Sequence, residues 1–148
     1  MNLVTTIPIR EDKGWVTALF KKGPHNEIIL ERGGRSKDVP AYPPTFPFSR
    51  KVARGQEIKF LYLVNRGHLL GYGEVAECRP CDVVPVGINA EGVGPGDEFV
   101  LRGRMQYIHK HDPVSCMGFR NFRYIEENLH KLTRKEILKV VRRLKLMP

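Results

Sequence analysis

The sequence predicts a mainly β protein of the α+β class: about six short strands coiled into a small barrel, with one basic amphipathic helix at the C-terminal end. Three observations predict it. Short β-prone runs recur between Gly- and Pro-containing turns along most of the chain. Glycines stand at alternate positions inside one of those runs, which calls for strong curvature or a close approach by another group. Helical periodicity joined to a capping signal is clear only near the end.

Taken in order, Trp15 to Phe20 and Glu27 to Glu31 read as two strands of a hairpin, joined across Gly23-Pro24. From 33 to 55 the pattern stops. Pro40, Pro43, Pro44 and Pro47 oppose regular structure there and hold Tyr42, Phe46 and Phe48 on a stiff, extended loop. Glu57 to Val64 is the strongest strand, with Ile58, Phe60, Tyr62 and Val64 on one face. Asn65-Arg66-Gly67 makes a tight turn into an antiparallel partner, His68 to Ala76, which carries Gly71 and Gly73 on either side of Tyr72. Glu98 to Arg102 and Met105 to His109 are further strands. Thr133 and Glu136 then form a T-x-x-E capping box for a helix over 133–146, in which Ile137, Val140, Val141 and Leu144 make the apolar stripe and Lys135, Lys139 and Arg142 lie opposite.

A chain of 148 residues fits a single domain, 1–148, that buries roughly 70% of its unfolded surface. No apolar run reaches the length of a membrane span, and the first ten residues lack the pattern of a signal peptide. Three cysteines, an odd number, argue against a secreted disulfide framework, so a cytoplasmic protein with no membrane partner is expected. The formal charge is +9. Residues 118–148 hold nine Lys and Arg against three Glu, a net of +6, which makes this end the expected face for a polyanion.

The segment from Ala53 to Glu77 resembles the central hairpin of the PUA-like superfamily, in its EVE and ASCH branches. The matching residues are the Gly55 turn, Phe60 in the first strand, and Gly71-Tyr72-Gly73-Glu74-Val75 ending the return strand; Gln56 stands where the family usually has Asp. The resemblance implies a PUA-like pseudo-barrel whose cleft binds RNA or a modified base in DNA or RNA, often against aromatic side chains.

Independently of that resemblance, the block Gly118 to Ile125 alternates basic and aromatic residues, which would place phosphate contacts beside stacking faces. The nucleic-acid-binding candidates are Tyr42 and Phe46 on the proline-rich loop, Arg50 and Lys51 after it, Arg120, Asn121, Arg123 and Tyr124 in the alternating block, and Lys135 and Lys139 on the helix. The structural alternative is that Phe119, Phe122 and Ile125 fill the core while Arg120 and Arg123 face water. The expected partner is nucleic acid, RNA in preference to DNA, bound without chemistry.

Cys78 and Cys81 form a C-x-x-C pair, read as lying in a turn after a strand, the local geometry of half a zinc site. His109 and His111, as H-x-H on a strand, and Cys116 could complete it, although the spacing matches no standard zinc pattern. No metal and no cofactor are therefore expected. No nucleophile elbow or phosphate-binding loop is present, and Lys37, Lys51, His68 and Glu74 are general acid–base candidates that no spacing singles out. An ASCH-type hydrolase acting on RNA or a nucleoside is the second reading, and a zinc-stabilised interaction module the third.

Overall fold

The computed structural model describes residues 1–6, 15–20, 45–48, 57–81, 96–120 and 122–148. Its β-strands are β1 (Asn2–Thr6), β2 (Thr45–Phe48), β3 (Phe60–Asn65), β4 (His68–Cys81), β5 (Gly96–Leu101), β6 (Gln106–Tyr107), β7 (Val114–Ser115) and β8 (Phe122–Ile125). Among the described residues two helices join them, α1 (Trp15–Phe20) and α2 (Arg134–Arg143), with a 3-10 turn at Leu129–Lys131. The architecture is mainly β with a C-terminal helix, as the sequence predicts. Six strands form the main path of one mixed sheet, in the order β2-β5-β4-β3-β1-β8, and the short β6 and β7 pair with β4. Among the described residues no helix is long and apolar enough to cross a membrane.

The β3–β4 hairpin is set by local chemistry. Arg66 and Gly67 both have positive φ, 52° and 77°, between the paired residues Asn65 and His68, which matches a two-residue type I′ turn. On the outer edge of β4, β5, β6 and β7 follow one another antiparallel. Val75 pairs with Leu101, Tyr72 with Gln106, Gly71 with Tyr107, and Leu69 with Val114. Four residues, 102–105, thus stand against two on β4, so the chain must bulge between β5 and β6.

Gly71 and Gly73 are where other groups close on β4. A Cβ at Gly71 would collide with the Gln106 carbonyl oxygen and lie 2.5 Å from the Phe20 ring, and one at Gly73 would lie 2.8 Å from Leu101. The alternate glycines therefore mark a close approach. Phe20 reaches over this place from α1 and stacks on Tyr107, with ring centroids 4.2 Å apart.

The central strands are buried on both faces. On one, Leu3 of β1 and Leu61 and Leu63 of β3 join Leu19, Phe20, Phe99, Leu101 and Met105. On the other, Val4, Tyr62 and Val64 join Ile137, Val140 and Val141 of α2. Ile58 packs with the first cluster, away from Tyr62 and Val64, because it lies before the regular strand begins. β1 runs parallel to β3 and antiparallel to β8, carrying the start of the chain into the sheet.

Four local expectations are corrected. Trp15–Phe20 is a helix, with Val16, Leu19 and Phe20 buried or half-buried at helical spacing, so it forms no hairpin strand; Glu27 to Glu31 lies outside the described residues. Thr45–Phe48, inside the proline-rich segment, is a strand at the sheet edge, where Pro47 sacrifices no ladder hydrogen bond to a second neighbour. β4 continues through Cys81, so the backbone does not turn between Cys78 and Cys81. Finally, the strand read over Met105 to His109 is confined to Gln106–Tyr107, and His109 has a left-handed φ of 47° in the turn that follows, so H-x-H does not lie on a strand.

α2 begins as expected. Glu136 N–H donates to Thr133 Oγ1 at 3.2 Å, and Thr133 N–H to Glu136 Oε1 at 3.0 Å, the reciprocal capping box. Its end is a Schellman motif: Leu146 N–H bonds the Val141 carbonyl and Lys145 N–H the Arg142 carbonyl, with Lys145 at φ 61° where glycine is usual. Lys145→Gly should raise stability by about 0.5 to 1 kcal/mol, read as a thermal midpoint roughly 1 to 4 °C higher. Gly71→Ala should do the opposite, costing about 2 to 3 kcal/mol by overpacking, a midpoint roughly 5 to 10 °C lower in the same calorimetric measurement.

Candidate functional site

Where the chain bulges between β5 and β6, a cleft of about 350 Å³ opens against the β3–β4 hairpin. That size falls in the range of small-ligand sites. One wall is aromatic: Phe60 from β3, Tyr72 from β4, and His130 from the 3-10 turn ahead of α2. The His130 ring stacks on Tyr72, with centroids 4.1 Å apart and planes 13° from parallel, and its centroid lies 4.6 Å from that of Phe60. The other wall is polar, made by Arg102, Gly103 and Arg104 of the bulge with Glu74 and Gln106.

His130 is held from beneath. Tyr62 is fully buried in β3, and its hydroxyl lies 2.8 Å from His130 Nδ1. Burial disfavours the phenolate and pushes the Tyr62 pKa up, against the opposing pull of the backbone amides of His130 and Leu129, so the hydroxyl keeps its proton. Burial, with the nearby Lys131 charge, lowers the His130 pKa below its ordinary 6.5. At neutral pH the imidazole is uncharged, and because the backbone amides of His130 and Leu129 already donate to the Tyr62 oxygen, the 2.8 Å contact is assigned as Tyr62 O–H donating to Nδ1, which puts the ring proton on Nε2.

The turn bearing His130 is tied to the sheet through Asn2. Asn2 Nδ2 donates to the Glu127 carbonyl at 2.8 Å and to Asn128 Oδ1 at 3.1 Å, while its Oδ1 accepts from Phe60 N–H at 3.2 Å. Arg143, in the last turn of α2, reaches both carboxylate oxygens of Glu127, at 2.8 and 2.6 Å. In the polar wall, Arg102 pairs with Glu74 at 3.2 Å, both exposed, a contact worth roughly 0 to 1 kcal/mol. Arg104 is exposed and makes no ion pair among the described residues. Tyr72 O–H donates to Gln106 Oε1 at 3.4 Å.

Of the nucleic-acid-binding candidates singled out in the sequence, none of those described lines the cleft, whereas the acid–base candidate Glu74 does. Tyr42, Arg50, Lys51 and Asn121 are outside the described residues, and Phe46 enters as the backbone partner of Phe99 in β2. Arg123 is exposed on β8, where Nη1 donates to the Leu144 carbonyl at 2.7 Å and the guanidinium lies 5.0 Å from the centre of the Phe119 ring. It caps the end of α2. Tyr124 is half-buried and meets Phe122 edge-on at 5.6 Å. Phe122 and Ile125 are core residues, and Arg120 is exposed. Lys135 and Lys139 are exposed on α2, the face the helical pattern assigns them.

Of the possible metal ligands, Cys78 is exposed on β4, His111 is exposed, and His109 Nε2 lies 2.9 Å from the Leu132 carbonyl. Burial pushes the Cys116 thiol up to about 11, away from the thiolate a metal needs. Among the described residues no three His, Cys, Asp or Glu side chains group as ligands. His130, Arg104 and Gln106 were not singled out in the sequence. A signal for His130 existed: a tyrosine in a two-sided core strand needs a polar partner for its hydroxyl.

No family model, curated protein or solved structure matches the chain.

Because the folded-state pKa of His130 lies below the unfolded value, its contribution to stability is fully present above about pH 6.5 and is lost as pH falls through the folded-state pKa. Tyr62→Phe removes a bond made to the neutral ring, so the His130 titration followed by NMR should move upward toward 6.5. An unmoved titration would mean that Nδ1 is not the acceptor.

Proposed function

We propose that the chain binds nucleic acid without changing it, holding a base in the cleft beside Phe60, Tyr72 and His130 while Arg104 and the exposed lysines of α2 meet phosphates. The observation that carries this reading is the meeting of an aromatic wall with an arginine-bearing bulge in one concavity. Aromatic faces accept bases by stacking, worth roughly 1 to 3 kcal/mol per base, and guanidinium groups accept the backbone. The resemblance of the β3–β4 hairpin to the PUA-like superfamily supports the same reading, because that resemblance implies base recognition in a cleft with aromatic walls. A pseudo-barrel of the PUA-like kind, a cytoplasmic setting and RNA as the preferred strand belong to this proposal.

A small hydrolase of the ASCH type is the second reading, and one observation favours it: the neutral His130 imidazole shares the cleft with the Glu74 carboxylate, side chains of the kinds that serve as general acid and base. Labelled single-stranded RNA that remains intact after long incubation with excess protein sets it aside.

The binding proposal is tested by fluorescence anisotropy with a short single-stranded RNA across a salt series. Arg104→Ala should weaken binding and flatten the plot of log affinity against log salt by about 0.7 for one lost phosphate contact. The thermal midpoint should stay in place, since Arg104 has no described partner to lose. The joint change of Lys135 and Lys139 to Ala should flatten it further. An unchanged slope in Arg104→Ala would remove the cleft from the binding surface.

A further inference from the structure

The polar groups facing the cleft are biased toward donation, and the bias is enforced by contacts outside it. Tyr62 O–H occupies His130 Nδ1, which leaves Nε2–H as the one polar atom the ring can offer a ligand, and that nitrogen has no partner among the described residues. Tyr72 O–H donates to Gln106 Oε1 at 3.4 Å, and the carboxamide NH2 group has no partner among the described residues. Arg104 can only donate. The acceptors are fewer: the carboxylate of Glu74, already engaged by Arg102, and the Tyr72 hydroxyl oxygen.

Resting on the reading of the cleft as a base-binding site, we infer that it selects bases with a carbonyl beside a ring N–H, namely uracil, thymine or guanine, over adenine and cytosine. The carbonyl oxygens of these bases match His130 Nε2–H, the Gln106 amide and Arg104. Their ring N–H is the complement of Glu74. At the position where uracil and guanine carry that carbonyl, adenine and cytosine present an exocyclic amino group to the same donors and an unprotonated ring nitrogen to Glu74, which leaves both contacts unpaired. Uracil and cytosine make the sharpest comparison, since they have the same ring size and stacking area and differ at this edge.

The experiment compares oligouridine, oligocytidine and oligoadenosine, each about eight nucleotides long, by anisotropy with the full chain at one salt concentration. Oligouridine should bind about tenfold or more tightly than oligocytidine. Gln106→Leu, at an exposed position, should keep the thermal midpoint and shrink that ratio severalfold, through loss of affinity for oligouridine. Equal affinity for oligouridine and oligocytidine, or a preference for oligocytidine or oligoadenosine, overturns the selectivity and leaves nucleic-acid binding standing. A ratio unchanged in Gln106→Leu also overturns it, because the donor invoked would then do nothing. Failure of every oligonucleotide to bind overturns the binding proposal itself, and the selectivity with it.

Discussion

A buried tyrosine hydroxyl must find a hydrogen-bond partner, and in this chain that requirement reaches from the middle of the sheet to the C-terminal region. Tyr62 sits in β3 with apolar packing on both faces of its strand, so its hydroxyl has no access to water. Its partner, His130 Nδ1, is 68 residues further along the chain. Satisfying one polar group therefore fixes the height and rotation of the imidazole above Tyr72. It also fixes the tautomer, and so the chemistry the ring shows to the cleft. The Asn2 bonds act on the same turn from its other side, linking β1, the start of β3 and residues 127–128.

The opposite wall has a different origin. β4 serves two sets of neighbours along its length: β3 on one edge, and β7, β6 and β5 in succession on the other. The close packing at Gly71 and Gly73 lets Phe20, the Gln106 backbone and Leu101 approach the strand, which leaves the extra residues 102–105 no path within the sheet. Residues 102–104 loop outward and bring Arg102 and Arg104 to the rim, while Met105 returns into the core. Rigid strands thus carry the aromatic wall, and a bulge anchored at both ends carries the charged one, an arrangement in which neither wall needs ordering by a ligand.

How much of this could be read beforehand depended on range. The hairpin of β3 and β4, its turn and the capped helix α2 are encoded by neighbours a few residues apart, and all three are present as expected. Trp15–Phe20 misleads because its β-branched and aromatic content suits a strand, while the i, i+3, i+4 spacing of Val16, Leu19 and Phe20, which the core uses, is shorter than the window needed to weigh it. β1 shows no alternation to detect, since both its faces are buried. The alternating run at Gly118 to Ile125 resembles a binding surface, yet Phe122 and Ile125 are core and Arg123 closes the end of α2. The cleft was half visible. Phe60, Tyr72 and Glu74 lie in the hairpin that the sequence singles out, whereas Arg104, Gln106 and His130 join them through strand pairing and one long-range hydrogen bond that no local pattern encodes.

The position of β1 bears on how the chain acquires its structure. This strand lies between β3, to which Leu3 is joined opposite Leu61, and β8, to which it is joined opposite Tyr124. Both pairings close very long loops, and the entropy of closing them must be met before any contact rewards it. During synthesis β1 emerges well over a hundred residues before β8, the partner of its second edge. Until β8 arrives, one edge of β1 remains open and hydrogen-bonding, which makes the growing chain dependent on slow, late completion of its sheet and exposed to wrong pairing in the interval.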